Sequence, residues 1–186
     1  MSKPLSGSRV AILLANGFNE QDLTHTQRAL RAKGAHTRLI GMDNGLVNSW
    51  TGSDWGHSFA ADGMLSTMLA ADFDMLIIPS GRRSVEKLKL TAHTRRFING
   101  FMDAEKPVAI FDDAIELMVF AEKLDGRTVS CPDASREQAS QVGAEIVDEP
   151  FTLDGNLVTG YAEAIDEYID FIISSFDNCT DMKEAA

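Results

Sequence analysis

The chain has 186 residues, with 17 basic against 28 acidic side chains, and its formal net charge of −11 argues against nucleic acid and anionic membrane as partners. Hydrophobic residues make up 44%, enough for the core of a single domain, and no apolar run approaches membrane-spanning length. Cys131 and Cys179 lie far apart without metal-type spacing, and the first eight residues carry no signal-type apolar core. The expectation is a cytoplasmic protein with reduced thiols, no metal and no cofactor.

In chain order, strand and helix alternate. After an N-terminal arm over 1–8, Arg9–Ala15 reads as a buried strand closed by the turn residues Asn16 and Gly17. A helix follows from about Glu20 to Lys33, ended by Gly34, and His36–Gly41 returns as a strand. Asp43–Phe59 predicts a hairpin whose Trp50, Trp55 and Phe59 need packing partners. Met75–Pro79 is a third buried strand, turning at Ser80, Gly81 and Arg82 into helices near Val85–Leu90 and on to Met102. Gly81 lets backbone N–H groups approach a ligand closely, and Arg82 is placed to meet an anionic one.

Val108–Phe111 is again a continuous apolar run, and two aspartates follow without a spacer. Ala114, Ile115, Met118, Val119 and Leu124 then recur at helical spacing. Strand, sharp turn and helix put Asp112 at the carboxyl end of a parallel strand, where open α/β sheets bind their ligands. An aspartate here serves equally well as a cap for free N–H groups. Beyond it come a strand at Arg127–Ser130, a helix at Asp133–Val142 and short strands at Ala144–Val147, Phe151–Leu153 and Asn156–Thr159. The last two join at Asp154-Gly155, a hairpin signal. An amphipathic helix over Ala162–Phe176 closes a single domain of residues 9–176, and a loose tail is expected over 177–186. The alternation predicts a mostly parallel sheet with helices on both faces.

Several stretches together resemble the ThiJ/PfpI family of the class I glutamine amidotransferase-like group. Gly143-Ala-Glu-Ile-Val-Asp148 followed by Asp154-Gly-Asn-Leu-Val-Thr159 is similar to that family's penultimate segment. Asp74-Met-Leu-Ile-Ile-Pro-Ser-Gly-Arg82 resembles its Asp-x-hydrophobic-Pro-Gly-Gly-Arg stretch, with Ser80 for the first glycine. Lys106–Phe111 and Gly126–Ser130 frame the elbow at the family's spacing. The resemblance spans about 10–176 and implies a flavodoxin-like three-layer α/β/α sandwich with a nucleophile-elbow-like turn at Asp112.

The family's elbow reads Ile-Cys-His-Gly, with cysteine as nucleophile. Its matching positions here are Phe111, Asp112, Asp113 and Ala114, so cysteine and histidine are both replaced by aspartate. Acidic residues that assist the nucleophile match Asn19 and Asp22, and a further glutamate, reaching across a subunit boundary in relatives, matches Glu86. The degenerate condition is similar to that of the C-terminal domain of large-subunit catalases. Dimers and larger rings in the family imply a homo-oligomer.

Chemically, losing the cysteine removes thiohemiacetal and acyl-enzyme routes. What remains is a pocket frame with N–H groups near Gly81 and Asp113, and a carboxyl on Asp112 able to occupy those donors itself. A binding, regulatory or oligomer-forming role with a possible small-molecule ligand follows. One alternative is acid–base chemistry of hydratase or isomerase type through Asp112 and Asp22. Another is a relocated thiol at Cys131, which otherwise reads as a small buried hydrophobe.

Overall fold

Three apolar runs without polar interruption become the centre of the sheet, because a strand covered on both faces must be apolar on both. They are β1 (Arg9–Leu13), β7 (Met75–Ile78) and β8 (Val108–Phe111). The first half of the chain adds β2 (Phe18–Asn19), α1 (Glu20–Ala32), β3 (His36–Gly41), β4 (Leu46–Trp50), β5 (Trp55–Ala60) and β6 (Gly63–Met64). Between β7 and β8 lie α2 (Arg82–Leu88) and α3 (Ala92–Asp103). After β8 come α4 (Ile115–Phe120), β9 (Thr128–Val129), α5 (Asp133–Gln141) and β10 (Glu145–Ile146). The chain closes with β11 (Phe151–Asp154), β12 (Leu157–Gly160) and α6 (Ile165–Glu184). This computed structural model describes residues 5–161 and 163–184, with side chains as far as Cys179.

Seven strands form the main sheet in the order β11-β12-β8-β7-β1-β3-β6, all neighbours parallel except the β11–β12 hairpin. Side chains alternate between its faces. Val10, Ile12, Met75, Ile77, Ala109 and Phe111 face one core, built with Leu23 and Leu30 of α1 and Tyr168, Ile172 and Phe176 of α6. Ala11, Leu13, Leu76, Ile78, Val108 and Ile110 face the other, built with Phe97 and Phe101 of α3, Leu117 and Met118 of α4, and Ala139 of α5. The result is the α/β/α sandwich with a mostly parallel sheet that the sequence predicts. Among the described residues no helix is long and apolar enough to cross a membrane.

The structure departs from the sequence reading at element ends. Gly81 at φ +130° turns the chain directly into α2, so that helix starts at Arg82 rather than Val85. The helix after the elbow stops at Phe120, short of Leu124, and Glu122 nearby takes a positive φ of 59°. Strands β9 and β10 pair with each other outside the main sheet. Helix α6 runs on to Glu184 instead of giving way to a tail after Phe176, since residues 177–184 contain neither Gly nor Pro to break it. Of the expected arm, Leu5 is fully buried in the α1/α6 core, whereas residues 1–4 lie outside the described residues.

Candidate functional site

The site is built on the end of β8. Phe111 is the last extended residue, and Asp112 follows at φ +47°. That left-handed conformation is costly for most side chains and best tolerated, after glycine, by Asn and Asp. One 3₁₀ turn over Asp112–Ala114 then feeds α4. The carboxyl of Asp112 accepts the N–H of Asp113, and burial raises its pKa against that bond. Asp113 points elsewhere: its Oδ1 accepts the N–H of Gly81 at 2.9 Å. The two donors expected to stay free or to share Asp112 are thus divided, Gly81 to Asp113 and Asp113 to Asp112. Burial raises the pKa of Asp113 as well.

The second wall is the start of α1. Asn19 caps this helix, its Oδ1 accepting from Gln21 N–H at 2.9 Å, and its own N–H donates to the Ser80 carbonyl at 2.8 Å. This ties the helix to the end of β7. Asp22, in the first turn, is 6% exposed, and its Oδ2 accepts from Ser80 N–H at 2.8 Å and Ser80 Oγ at 2.5 Å. Burial pushes its pKa to about 6 despite those bonds, with Asp112 and Asp113 adding to the rise. Asp22, Asp112, Asn19 and Ser80 line one pocket of about 130 Å³ with Phe111 and Tyr168. Asp22 and Asp112 interact through charge across this space. No hydrogen bond joins them among the described residues.

Glu86, Arg82 and Cys131 do not line that pocket. Glu86 is half-exposed and pairs with Lys89 at 2.8 Å and Arg82 at 3.1 Å. Both cations also reach the buried Glu116, Arg82 at 2.7 Å and Lys89 at 2.8 Å. Arg82 is therefore engaged in a network linking α2 to α4. Cys131 is fully buried in the core, and burial raises its thiol pKa, with Asp133 and Asp112 adding to the rise and Arg136 opposing it. Among the described residues no group of three or more His, Cys, Asp or Glu could hold a metal ion.

Sequence reasoning missed how the β4–β5 hairpin is attached. Glu20 accepts from Ser49 Oγ and from His57 N–H at 3.1 Å, and its other oxygen lies 2.6 Å from His57 Nδ1. Arg83 stacks on Trp50, its guanidinium 4.2 Å from the ring centre, and Trp50 meets Trp55 edge-on at 5.4 Å. Glu20 and His57 stand 37 positions apart, so only the folded chain shows the pairing. Beside the hairpin lies a groove of about 400 Å³, lined by Trp50, Thr51, Glu20, Gln21 and Asn19 among others.

A parallel α/β sandwich with a left-handed residue on a strand-to-helix elbow defines the class of the protein. The DJ-1/PfpI family profile matches residues 8–176, and the chain belongs to that family. An uncharacterised protein of Staphylococcus saprophyticus is 30% identical over 153 residues, 81% of this chain and 87% of that one. One from Staphylococcus aureus is 29% identical over the same shares. Among solved structures, a ThiJ/PfpI domain protein of Brachyspira murdochii superposes with a TM-score of 0.83 at 18% identity, covering 93% of this chain and 98% of its own. A two-domain protein of Anabaena variabilis, with DJ-1/ThiJ/PfpI-like and ferritin-like domains, gives 0.83 at 24% identity. The match covers 90% of this chain but spans about half, 47%, of that one. These structural likenesses establish the fold.

Proposed function

We propose that this DJ-1/PfpI chain is a binding protein, holding a small molecule rich in hydrogen-bond donors against Asp112 and Asp22, and not a cysteine hydrolase. The supporting observation is the elbow itself, where the left-handed position carries a carboxyl facing a second, buried carboxyl. A carboxylate attacks sugars or phosphoryl groups rather than peptide carbonyls. The Gly81 and Asp113 N–H groups, suited to an oxyanion, are already given to carboxyls. A developing negative charge would meet negative charge there.

A thermal-shift panel of amines, polyols, carboxylates and phosphates tests this, because a ligand that binds only the folded state raises its melting point. Saturable stabilisation by an amine or polyol, weakened in Asp112→Asn, is expected. Stabilisation by anions alone would overturn the reading, as would peptidase or glyoxal-consuming activity that vanishes in Asp112→Asn.

A second reading, an acid–base enzyme of hydratase or isomerase type, draws support from Asp22. Held at about 6 beside Asp112, it is partly protonated near neutral pH, when an acid and a base face the same space. Saturable, pH-dependent turnover lost in both Asp112→Ala and Asp22→Asn would favour it. The relocated-thiol reading finds no comparable support, since Cys131 is buried and its thiol is held protonated. We also take the chain to form a homo-oligomer through the hairpin, where Trp55 is 52% exposed.

A further inference from the structure

Away from the elbow, a groove of about 370 Å³ opens between α3 and the short 3₁₀ turn Ala70–Asp72. That volume lies within the roughly 300–1,000 Å³ usual for small-molecule sites. The groove shares no lining residue with the elbow pocket. Its shape comes from small residues. A Cβ on Gly100 would come within 2.6 Å of the Ala70 Cβ, so glycine here lets the turn close against the helix. Ala71 and Ala104 bring no more than a methyl group to the walls, while Met68, Leu69 and Phe97 supply apolar surface. Leu69 is 52% exposed, an apolar side chain left beside the opening.

Both charged residues in the lining are cations. No Asp or Glu lines the groove, in a chain with 28 acidic side chains against 17 basic. The Lys106 ammonium donates to the Ala70 carbonyl at 2.9 Å and the Phe73 carbonyl at 2.6 Å, and it interacts through charge with Asp74. Arg96 is held differently. Its Nη2 donates to the carbonyls of Leu65 at 2.8 Å and Met68 at 3.1 Å, which pins the guanidinium in place. Its Nε and Nη1 have no hydrogen-bond partner among the described residues, and no carboxylate there pairs with it. A guanidinium fixed by one nitrogen with its other donors open is preorganised for a carboxylate. Arg96 is exposed, so an arriving carboxylate displaces only water.

Arg96, Gly100 and Ala104 follow one another at four-residue steps, so they share one face along α3 and the residue after it. At about 1.5 Å per residue they span roughly 12 Å, the reach of a medium-length alkyl chain laid along the helix. We propose that this groove binds a medium-chain alkyl carboxylate, its carboxylate on the open donors of Arg96 and its chain running past Gly100 to Ala104. An inorganic anion would leave the apolar walls wet, and an alkyl alcohol would leave the guanidinium without a counter-charge. The net charge of −11 opposes an anion at a distance, but salt screens that field beyond about 8–10 Å, and contact with Arg96 decides.

The experiment measures the binding heat of octanoate, kept below its micelle concentration, with the full chain at physiological salt. One molecule should bind per chain. Acetate keeps the charge and octanol keeps the chain, and each should bind at least ~10-fold more weakly. Arg96→Gln should weaken octanoate by a similar factor and bring it level with octanol. Ala104→Phe leaves Arg96 in place and fills the groove from an exposed position, so it should weaken octanoate at least ~10-fold with an unchanged melting curve. If Arg96→Gln unfolds through loss of its carbonyl bonds, Ala104→Phe decides alone.

Absence of heat from octanoate, or heat unaltered in Ala104→Phe, would overturn the proposal. Octanol binding as tightly as octanoate would overturn the role of Arg96, and acetate binding as tightly would overturn that of the apolar walls. None of these outcomes bears on the reading of Asp112 and Asp22, because the two spaces have no lining residue in common.

Discussion

Tyr168 donates its hydroxyl to the carbonyl of Ile110 at 2.6 Å, two residues before the elbow. The phenol is fully buried, packing edge-on against Phe111 at 4.9 Å and stacking on Phe151 at 5.7 Å. Gly160 is required beside it, since a Cβ there would come within 2.6 Å of the ring. Helix α6 thereby holds the end of β8 in place. Tyr168→Phe removes the bond and leaves a buried carbonyl short of its donor, so a loss of about 1–2 kcal/mol in urea denaturation is expected. An unchanged midpoint would mean that packing alone does this work.

Asp22 makes stability depend on pH. Its folded pKa of about 6 lies above the model-peptide value of 3.8. The folded state therefore binds the extra proton between these values, and the resulting stabilisation is full below the lower one. It is lost as pH rises through the upper one. Asp22→Asn, which cannot ionise, should raise stability at pH 7 by about 1–3 kcal/mol relative to the parent, with the gap closing near pH 4. Equal denaturation midpoints at both pH values would show that Asp22 titrates normally.

At Asp112 the backbone sets the order of variants. Asp112→Asn retains a residue tolerant of positive φ and an oxygen for the Asp113 N–H, so it should fold like the parent. Asp112→Leu puts a branched apolar side chain at φ +47° and leaves that donor unpaired, a cost of roughly 1–3 kcal/mol. Thermal or urea unfolding of the two variants side by side gives the comparison, and the prediction fails if leucine is as stable as asparagine.

Cys131 should resist iodoacetamide at neutral pH in the folded protein, being fully buried with a raised thiol pKa. Cys179, partly exposed on α6, should be alkylated first by intact-mass analysis. Faster labelling of Cys131 would revive thiol chemistry at that position.

Trp55 and the neighbouring hairpin surface should be covered by a second copy in solution. Light scattering at micromolar concentration is expected to give at least a dimer, and Trp55→Ser to shift the mass toward a monomer. A monomeric parent would remove the interface proposal.

Much of the fold was legible because its strands are apolar on both faces, and Val108–Phe111 allows no other reading inside an alternating chain. The elbow could be located for the same reason, an apolar strand meeting a helical repeat at two aspartates. What sequence could not show were pairings made across the fold. Asp22 and Ser80 lie 58 positions apart, and nothing local says that Ser80 gives Asp22 both its N–H and its hydroxyl. Glu116 looks like a polar interruption on a helix until Arg82 and Lys89 are seen to meet it. Likewise, nothing in the stretches around Glu86 and Arg82 shows that both enter the network that joins α2 to Glu116 of α4.

The Glu116 network bears on how the pocket can yield. Gly81 precedes α2 and Asp113 precedes α4, and the two helices are clasped by one carboxylate holding two cations. Pulling either helix away uncovers a buried charge, so this wall is stiff, with the Gly81–Asp113 bond carried along as a fixed fitting. The hairpin, by contrast, hangs from Glu20 and from the stacking of Arg83 on Trp50, contacts made near the surface. Any breathing here should therefore be a swing of the hairpin away from α1 that widens the groove beside Trp50, with Asp112 standing still.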